Sequence, residues 1–181
     1  MIGSRPLTTE EVARVSDKLG ARDRMMFVLG LKTGFRVQEL LSLEVSDVIR
    51  NDGEIVDVVS VSRQNMKGKV SGRTVALHRA AKLAIDRWRR SCPLDNVPDA
   101  PLFAGPSGVA ISRVQAWRVL TAAYKAAGVF GKLGTHAMRK TFANRVYNKL
   151  GKDLPRTQKA LGHVTMSSTV NFSSSVIGAF P

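Results

Sequence analysis

Apolar positions along this chain recur first at helical spacing, then at alternating spacing, then at helical spacing again. In PLTTEEVARVSDKL, Val12, Val15 and Leu19 share one helical face. Thr8 or Thr9 stands where an N-cap is needed, and Glu10 and Glu11 fall in the first turn, where the positive helix end favours carboxylates. The apolar run MMFVLGL, residues 25–31, belongs to a second helix predicted from about Asp23 to near Gly34, and VQELLSL to a short third. The stretch SDVIRNDGEIVDVVSVSRQNMKGKVSGRTVAL then shifts to strand character. It holds an Asn51-Asp52-Gly53 turn, the β-branched run IVDVVSV, a second turn at Lys67-Gly68-Lys69 and the strand RTVAL. This pattern predicts a small antiparallel sheet of about three strands.

Helical spacing returns over residues 78–90, with Leu83 and Trp88 as the expected core anchors. The loop SCPLDNVPDAPLFAGPSG holds four of the seven prolines, yet helical patterning resumes after it, so it reads as an ordered loop rather than an interdomain linker. Further helices are predicted in ISRVQAWRVLTAAYKAAG, stopped at Gly128, and over residues 136–150, 153–161 and 166–171. No internal repeat or low-complexity tract interrupts them. The expected fold is α+β and mainly helical, one domain over residues 1–181 with a small three-stranded antiparallel sheet.

Composition adds little until charge is counted. Twenty-eight Lys plus Arg against fourteen Asp plus Glu leave +14, an excess that repels itself in a compact state and points to a polyanionic partner. A membrane is a poor candidate for that partner, because the longest apolar run is far shorter than the ~20 residues a span requires. The start MIGSRPLTTEEV lacks the basic-then-apolar layout of a secretory signal. Cys92 is the one cysteine, which precludes an internal disulfide and fits a reducing compartment. Aromatic residues at 6% are too few for the stacking platforms of a single-stranded RNA binder.

Each candidate for chemistry has a plain reading when taken alone. Arg36 and Glu39 in TGFRVQEL have the spacing of a surface ion pair. Lys67 has the look of a solvated turn lysine. His136 and Arg139 in GTHAMRKTF share a helix face and could cap or pack, and His163 after Gly162 could be structural. Arg113, Arg118 and Lys125 could face DNA or water equally well. His78 reads as a helix-start residue.

Taken in order, however, Arg36, Lys67, His136-x-x-Arg139, Gly162-His163 and a ring nine residues after His163 make one string. The chain here resembles the catalytic domain of the tyrosine recombinases, the lambda-type phage integrase family. The matching segments are TGFRVQELLSLEVSDV, NMKGKVSGRTVAL, THAMRKTFANRVYNKLGKDLPRTQKALGH and SSTVNF, in family order over about residues 7–173. The resemblance implies a site-specific recombinase that cuts and rejoins duplex DNA at a recombination site through a 3′-phosphotyrosine, within a tetramer on DNA. It implies no cofactor and no metal, a cytoplasmic, nucleoid-associated location in a prokaryote, and a phage or other mobile element as setting. A usual additional N-terminal helical domain is not seen in residues 1–181, so a piece of a longer recombinase is expected.

The residue roles follow from the resemblance, with a physical logic of their own. Arg36 and Arg139 would grip the non-bridging oxygens of the attacked phosphate, which gather negative charge, with directional paired donors. His163 would add a donor, and His136 would do so or manage the nucleophile's proton. Lys67 would protonate the leaving 5′ oxygen, and Glu39 would orient the arginine and histidine shell. The nucleophile position is Phe172, where the family carries tyrosine. Phenylalanine keeps the ring and loses the attacking oxygen, so the expectation is DNA binding without cleavage. Ser173 to Ser175 are alcohols of higher pKa, and Tyr124 and Tyr147 lie in earlier helices, so no substitute nucleophile is expected. Two origins stay open: an engineered exchange that traps uncleaved DNA, or a natural DNA-binding regulator on a recombinase scaffold.

Overall fold

The computed structural model describes residues 4–62, 72–92 and 97–162. Lys67, His163, Phe172 and the helix expected over residues 166–171 lie outside the described residues.

The chain enters as a strap. Arg5 pairs with Glu11 at 2.6 and 2.8 Å and donates to the Phe130 carbonyl, and the Leu7 N–H donates to Thr141 Oγ1 at 2.8 Å. Helix α1, Thr9–Asp17, starts on a reciprocal cap: Thr8 Oγ1 accepts from the Glu11 N–H, and the Glu11 carboxylate accepts from the Thr8 N–H. The expected N-cap alternative is thereby resolved to Thr8.

Helix α2, Ala21–Thr33, is the centre of the domain. Met25, Met26, Phe27, Leu29 and Leu31 are buried around its whole circumference, as befits a helix covered on every side. It runs close to helix α6, Thr135–Lys149, because two glycines leave room. A Cβ at Gly30 would meet Met138 Sδ at 2.8 Å, and one at Gly34 would meet the Phe142 ring at 2.3 Å. Gly34 also ends α2 in the left-handed region, φ 63°, a conformation glycine adopts without steric cost. The reversal leads directly into helix α3, Val37–Leu41.

Among the described residues the sheet has two strands, β1 (Val58–Val61) and β2 (Arg73–Ala76), antiparallel with Val59 opposite Val75. The third element expected around Asn51-Asp52-Gly53 contributes one bridge, Ile49 to Ile55, rather than a strand. That bridge is made by two bonds, the Arg50 N–H to the Glu54 carbonyl and the Val56 N–H to the Val48 carbonyl, and Asp52 accepts from the Glu54 N–H within the turn between them.

Helix α4, Arg79–Arg89, is capped by His78, whose Nδ1 accepts from the Ala80 N–H, in line with its reading as a helix-start residue. Its buried stripe is Ala81, Ala84, Ile85 and Trp88. Leu83 is 47% exposed, which corrects its reading as an anchor: one position before Ala84, it lies about 100° off the stripe. Helix α5, Arg113–Ala126, begins on a Ser112/Gln115 cap and buries Ala116, Leu120, Ala123 and Tyr124. Helix α7, Leu154–Leu161, begins at Asp153 and ends at Gly162, again left-handed. Among the described residues no helix is long and apolar enough to cross a membrane.

Candidate active site

The site grows from the end of α2. Because Gly34 turns the chain back, Arg36 becomes the N-cap of α3 and Glu39 falls on its third position. Glu39 folds back on Arg36: its Oε2 accepts the Arg36 N–H at 2.7 Å, and its Oε1 accepts from Arg36 Nη1 at 2.9 Å. The Glu39 carboxylate is buried, and burial works to raise its pKa. Hydrogen bonds from the Arg36 N–H and guanidinium, with the charges of Arg139 and Arg36, outweigh that and hold it below the ordinary carboxylate value.

Helix α6 brings the second half. Arg139 is 3% exposed, with Nη1 donating to the Gly34 carbonyl and Nη2 to the Leu161 carbonyl at 2.8 Å. Burial, then the nearby charges of Arg36 and Arg73, push its pKa down to about 9, so it is still a cation at neutral pH. His136, one turn earlier, stands at an exposed rim. Desolvation and then the charges of Arg139, Arg36 and Lys140 lower its pKa, which favours the neutral ring. The ring lines a cleft of about 280 Å³ with Val37, Arg113, Val114, Trp117 and Thr135.

Arg36, Glu39, His136 and Arg139 are thus gathered from segments about a hundred residues apart. Arg73 on β2 joins them and was not singled out from sequence. Its charge acts on Arg139, and Glu39 acts on it in turn. The available signal was the alternation of RTVA, which turns Arg73 and Val75 to the inner face of the sheet while Thr74 and Ala76 stay exposed. A cation on an inward strand position is unusual enough to mark a site. Three guanidiniums therefore share one carboxylate, an excess of two positive charges in a largely buried place. Such an excess is suited to an anion of two negative charges' reach, such as a phosphate passing through attack.

Tyr124 has no part in this cluster. Its phenol is buried, donates to the Gly134 carbonyl at 3.2 Å, and has its pKa raised by burial, which makes it a poor nucleophile.

The chain is similar to known proteins over nearly its whole length. The chain is 30% identical over 164 residues to tyrosine recombinase XerC of Herpetosiphon aurantiacus, covering 91% of this chain and 49% of that protein. It is 30% identical over 172 residues to tyrosine recombinase XerD of Oceanobacillus iheyensis, covering 90% and 55%. The chain thus spans about half the length of these relatives. The crystal structure of XerA recombinase has the same fold, with TM-score 0.77 at 23% identity over 97% of this chain and 62% of that one. A tyrosine-to-phenylalanine variant of the Tn1549 transposon integrase, solved with transposon right end DNA, shares the fold at TM-score 0.71 and 22% identity, covering 93% and 61%. The model of the phage integrase family matches residues 7–175, nearly the whole sequence, and the chain belongs to that family of tyrosine recombinases.

Proposed function

We propose that this chain is the DNA-breaking and rejoining domain of a site-specific recombinase that, with Phe172 at the nucleophile position, binds a recombination site without cutting it. The observation that carries the reading is the convergence of Arg36, Glu39, His136 and Arg139 around an uncompensated positive charge.

In this reading the scissile phosphate enters beside Arg36 and Arg139. Arg139 is already desolvated, so an anion placed against it meets donors that need little further reorganisation. Arg36 can turn its remaining donors to the phosphate while Glu39 keeps its main chain in place. His136, whose pKa is lowered by desolvation and then by its cationic neighbours, can accept the proton of an attacking hydroxyl. Lys67 and His163 complete the set on sequence grounds, Lys67 as acid to the leaving 5′ oxygen and His163 as a further donor. Where tyrosine would attack phosphorus and release that oxygen, Phe172 offers carbon only, so the bound phosphodiester stays whole. The charge of +14 supplies the sequence-independent part of duplex binding. Assembly into a tetramer on DNA is part of the same proposal.

The test is Phe172→Tyr on a nicked duplex whose cut end diffuses away. The restored chain should form a protein–DNA adduct that survives detergent, and the parent chain should form none. Retained DNA binding with no adduct from the tyrosine variant would overturn the assignment of position 172. Duplex affinity should also fall with salt, with a logarithmic slope of about −0.9 per neutralised phosphate.

A further inference from the structure

We propose that Arg73 is a positioning residue of this site: its guanidinium fixes the Gly34 carbonyl that Arg139 also grips, and so sets where Arg139 meets the scissile phosphate. The proposal rests on the phosphate-clamp reading above for its consequence, and on the structure of the free chain for its geometry.

Arg73 is 9% exposed and opens strand β2. It donates to the Thr33 carbonyl at 2.7 Å, the Gly34 carbonyl at 3.3 Å and the Ala160 carbonyl at 2.6 Å, and lies over the Phe35 ring at 5.2 Å. All three acceptors belong to the C-terminal ends of α2 and α7, where helix carbonyls are left over and the dipole is negative. Arg139 uses the same two ends. It shares Gly34 with Arg73 and takes the Leu161 carbonyl, next in the chain to Ala160. The two guanidiniums are therefore laced to the same pair of turns, and displacing one shifts the acceptors of the other.

A slot needed only for packing would be filled more cheaply by an apolar side chain, since a buried cation with no carboxylate of its own is costly. Among the described residues the hydrogen bonds of Arg73 go to carbonyls alone. What the cation adds is a directional brace and a second buried positive charge beside Arg139.

The brace can be tested without DNA. In the free Phe172 chain, hydrogen exchange of the Arg139 guanidinium, followed by side-chain NMR, should quicken about tenfold or more in Arg73→Met and in Arg73→Lys, because lysine cannot reach three carbonyls at once. Arg73→Lys also keeps the charge, which guards against a methionine variant that fails to fold. Unchanged Arg139 exchange in either folded variant overturns the proposal. A second arm compares affinity for a half-site carrying the ordinary phosphate with one carrying a neutral methylphosphonate at the cleavage position. The parent chain should prefer the charged duplex, and both variants should lose most of that preference while total affinity stays within about threefold. A third arm, in the Phe172→Tyr background, should show single-turnover adduct formation slowed about tenfold or more per folded molecule. Lower melting temperature with normal exchange, normal preference and normal cleavage would mean a packing role only and would also overturn it. If exchange quickens but the parent shows no phosphate preference and Phe172→Tyr forms no adduct, the recombinase reading fails while the link between Arg73 and Arg139 stands.

Discussion

Arg36 and Arg139 carry the same guanidinium in opposite settings. The Arg36 side chain is 41% exposed and pairs with a carboxylate at 2.9 Å. Arg139 is 3% exposed, and its hydrogen bonds among the described residues reach carbonyls only. The first is a cation open to water on a buried carboxylate, so its own guanidinium is easily rearranged when an anion arrives. The second is a cation already stripped of water and not neutralised, the kind of group for which an incoming phosphate makes a large difference. In the proposed clamp the exposed Arg36 would close on the phosphate, and the buried Arg139 would wait in place. Arg73 belongs with the second kind.

The largest test of this contrast is Gly34→Ala. Gly34 presents the carbonyl that both buried arginines use, and a Cβ there meets the Phe142 ring at 2.3 Å with φ at 63°. The left-handed conformation and the collision together should lower stability by about 2–5 kcal/mol, measured by urea unfolding. A stability within error of the parent would show that α2 and α6 do not approach so closely. Next comes Arg139→Met in the Phe172→Tyr background, where loss of one preorganised donor should slow cleavage by about 10²–10³-fold in single turnover. Comparable loss on duplex binding alone would instead make Arg139 a binding residue without a special part in the attack.

Glu39→Gln is smaller and carries a pH signature. The folded pKa of Glu39 lies below its unfolded value of 4.5. Its contribution is therefore present in full above 4.5 and disappears as pH falls through the folded value. At neutral pH the variant should be less stable by about 1–3 kcal/mol, the cost of a weakened buried hydrogen-bonded group, and the gap should narrow on acidification below 4.5. A gap independent of pH would remove the carboxylate from the account. Smallest is Arg36→Lys, whose effect on stability should stay under about 1 kcal/mol because the Arg36 side chain is 41% exposed and lysine keeps a positive charge beside Glu39. Cleavage in the tyrosine background should nonetheless fall about tenfold, since an ammonium cannot hold two phosphate oxygens in the guanidinium manner. A lysine that cleaves as well as arginine would erase the distinction between the two settings.

Local signals were strong wherever one segment could satisfy itself. A cap at Thr8 or Thr9, an end near Gly34 and a stop at Gly128 were readable, because caps act within four residues. The order of Arg36, His136 and Arg139 was equally readable, because each stands in a short motif. Leu83 misled, because in RAAKLAIDRWR the small Ala81 and Ala84 outrank a larger side chain in choosing the buried stripe, and which face packs is decided by α2, not by α4. The Asn51-Asp52-Gly53 turn was visible, but whether one rung or a full strand follows it depends on neighbours beyond the hairpin.

Chain chemistry alone thus placed the described helices to within a few residues and gave the basic character and the family motifs, all of which rest on interactions between residues near in sequence or on simple sums of charge. Only the assembled fold could decide that Arg36 stays wet and paired while Arg139 is dry and uncompensated, or that Arg73 belongs beside them. Desolvation and shared acceptors depend on which helix ends meet, and Gly34, Ala160 and Leu161 meet only when α2, α6, α7 and β2 are packed together.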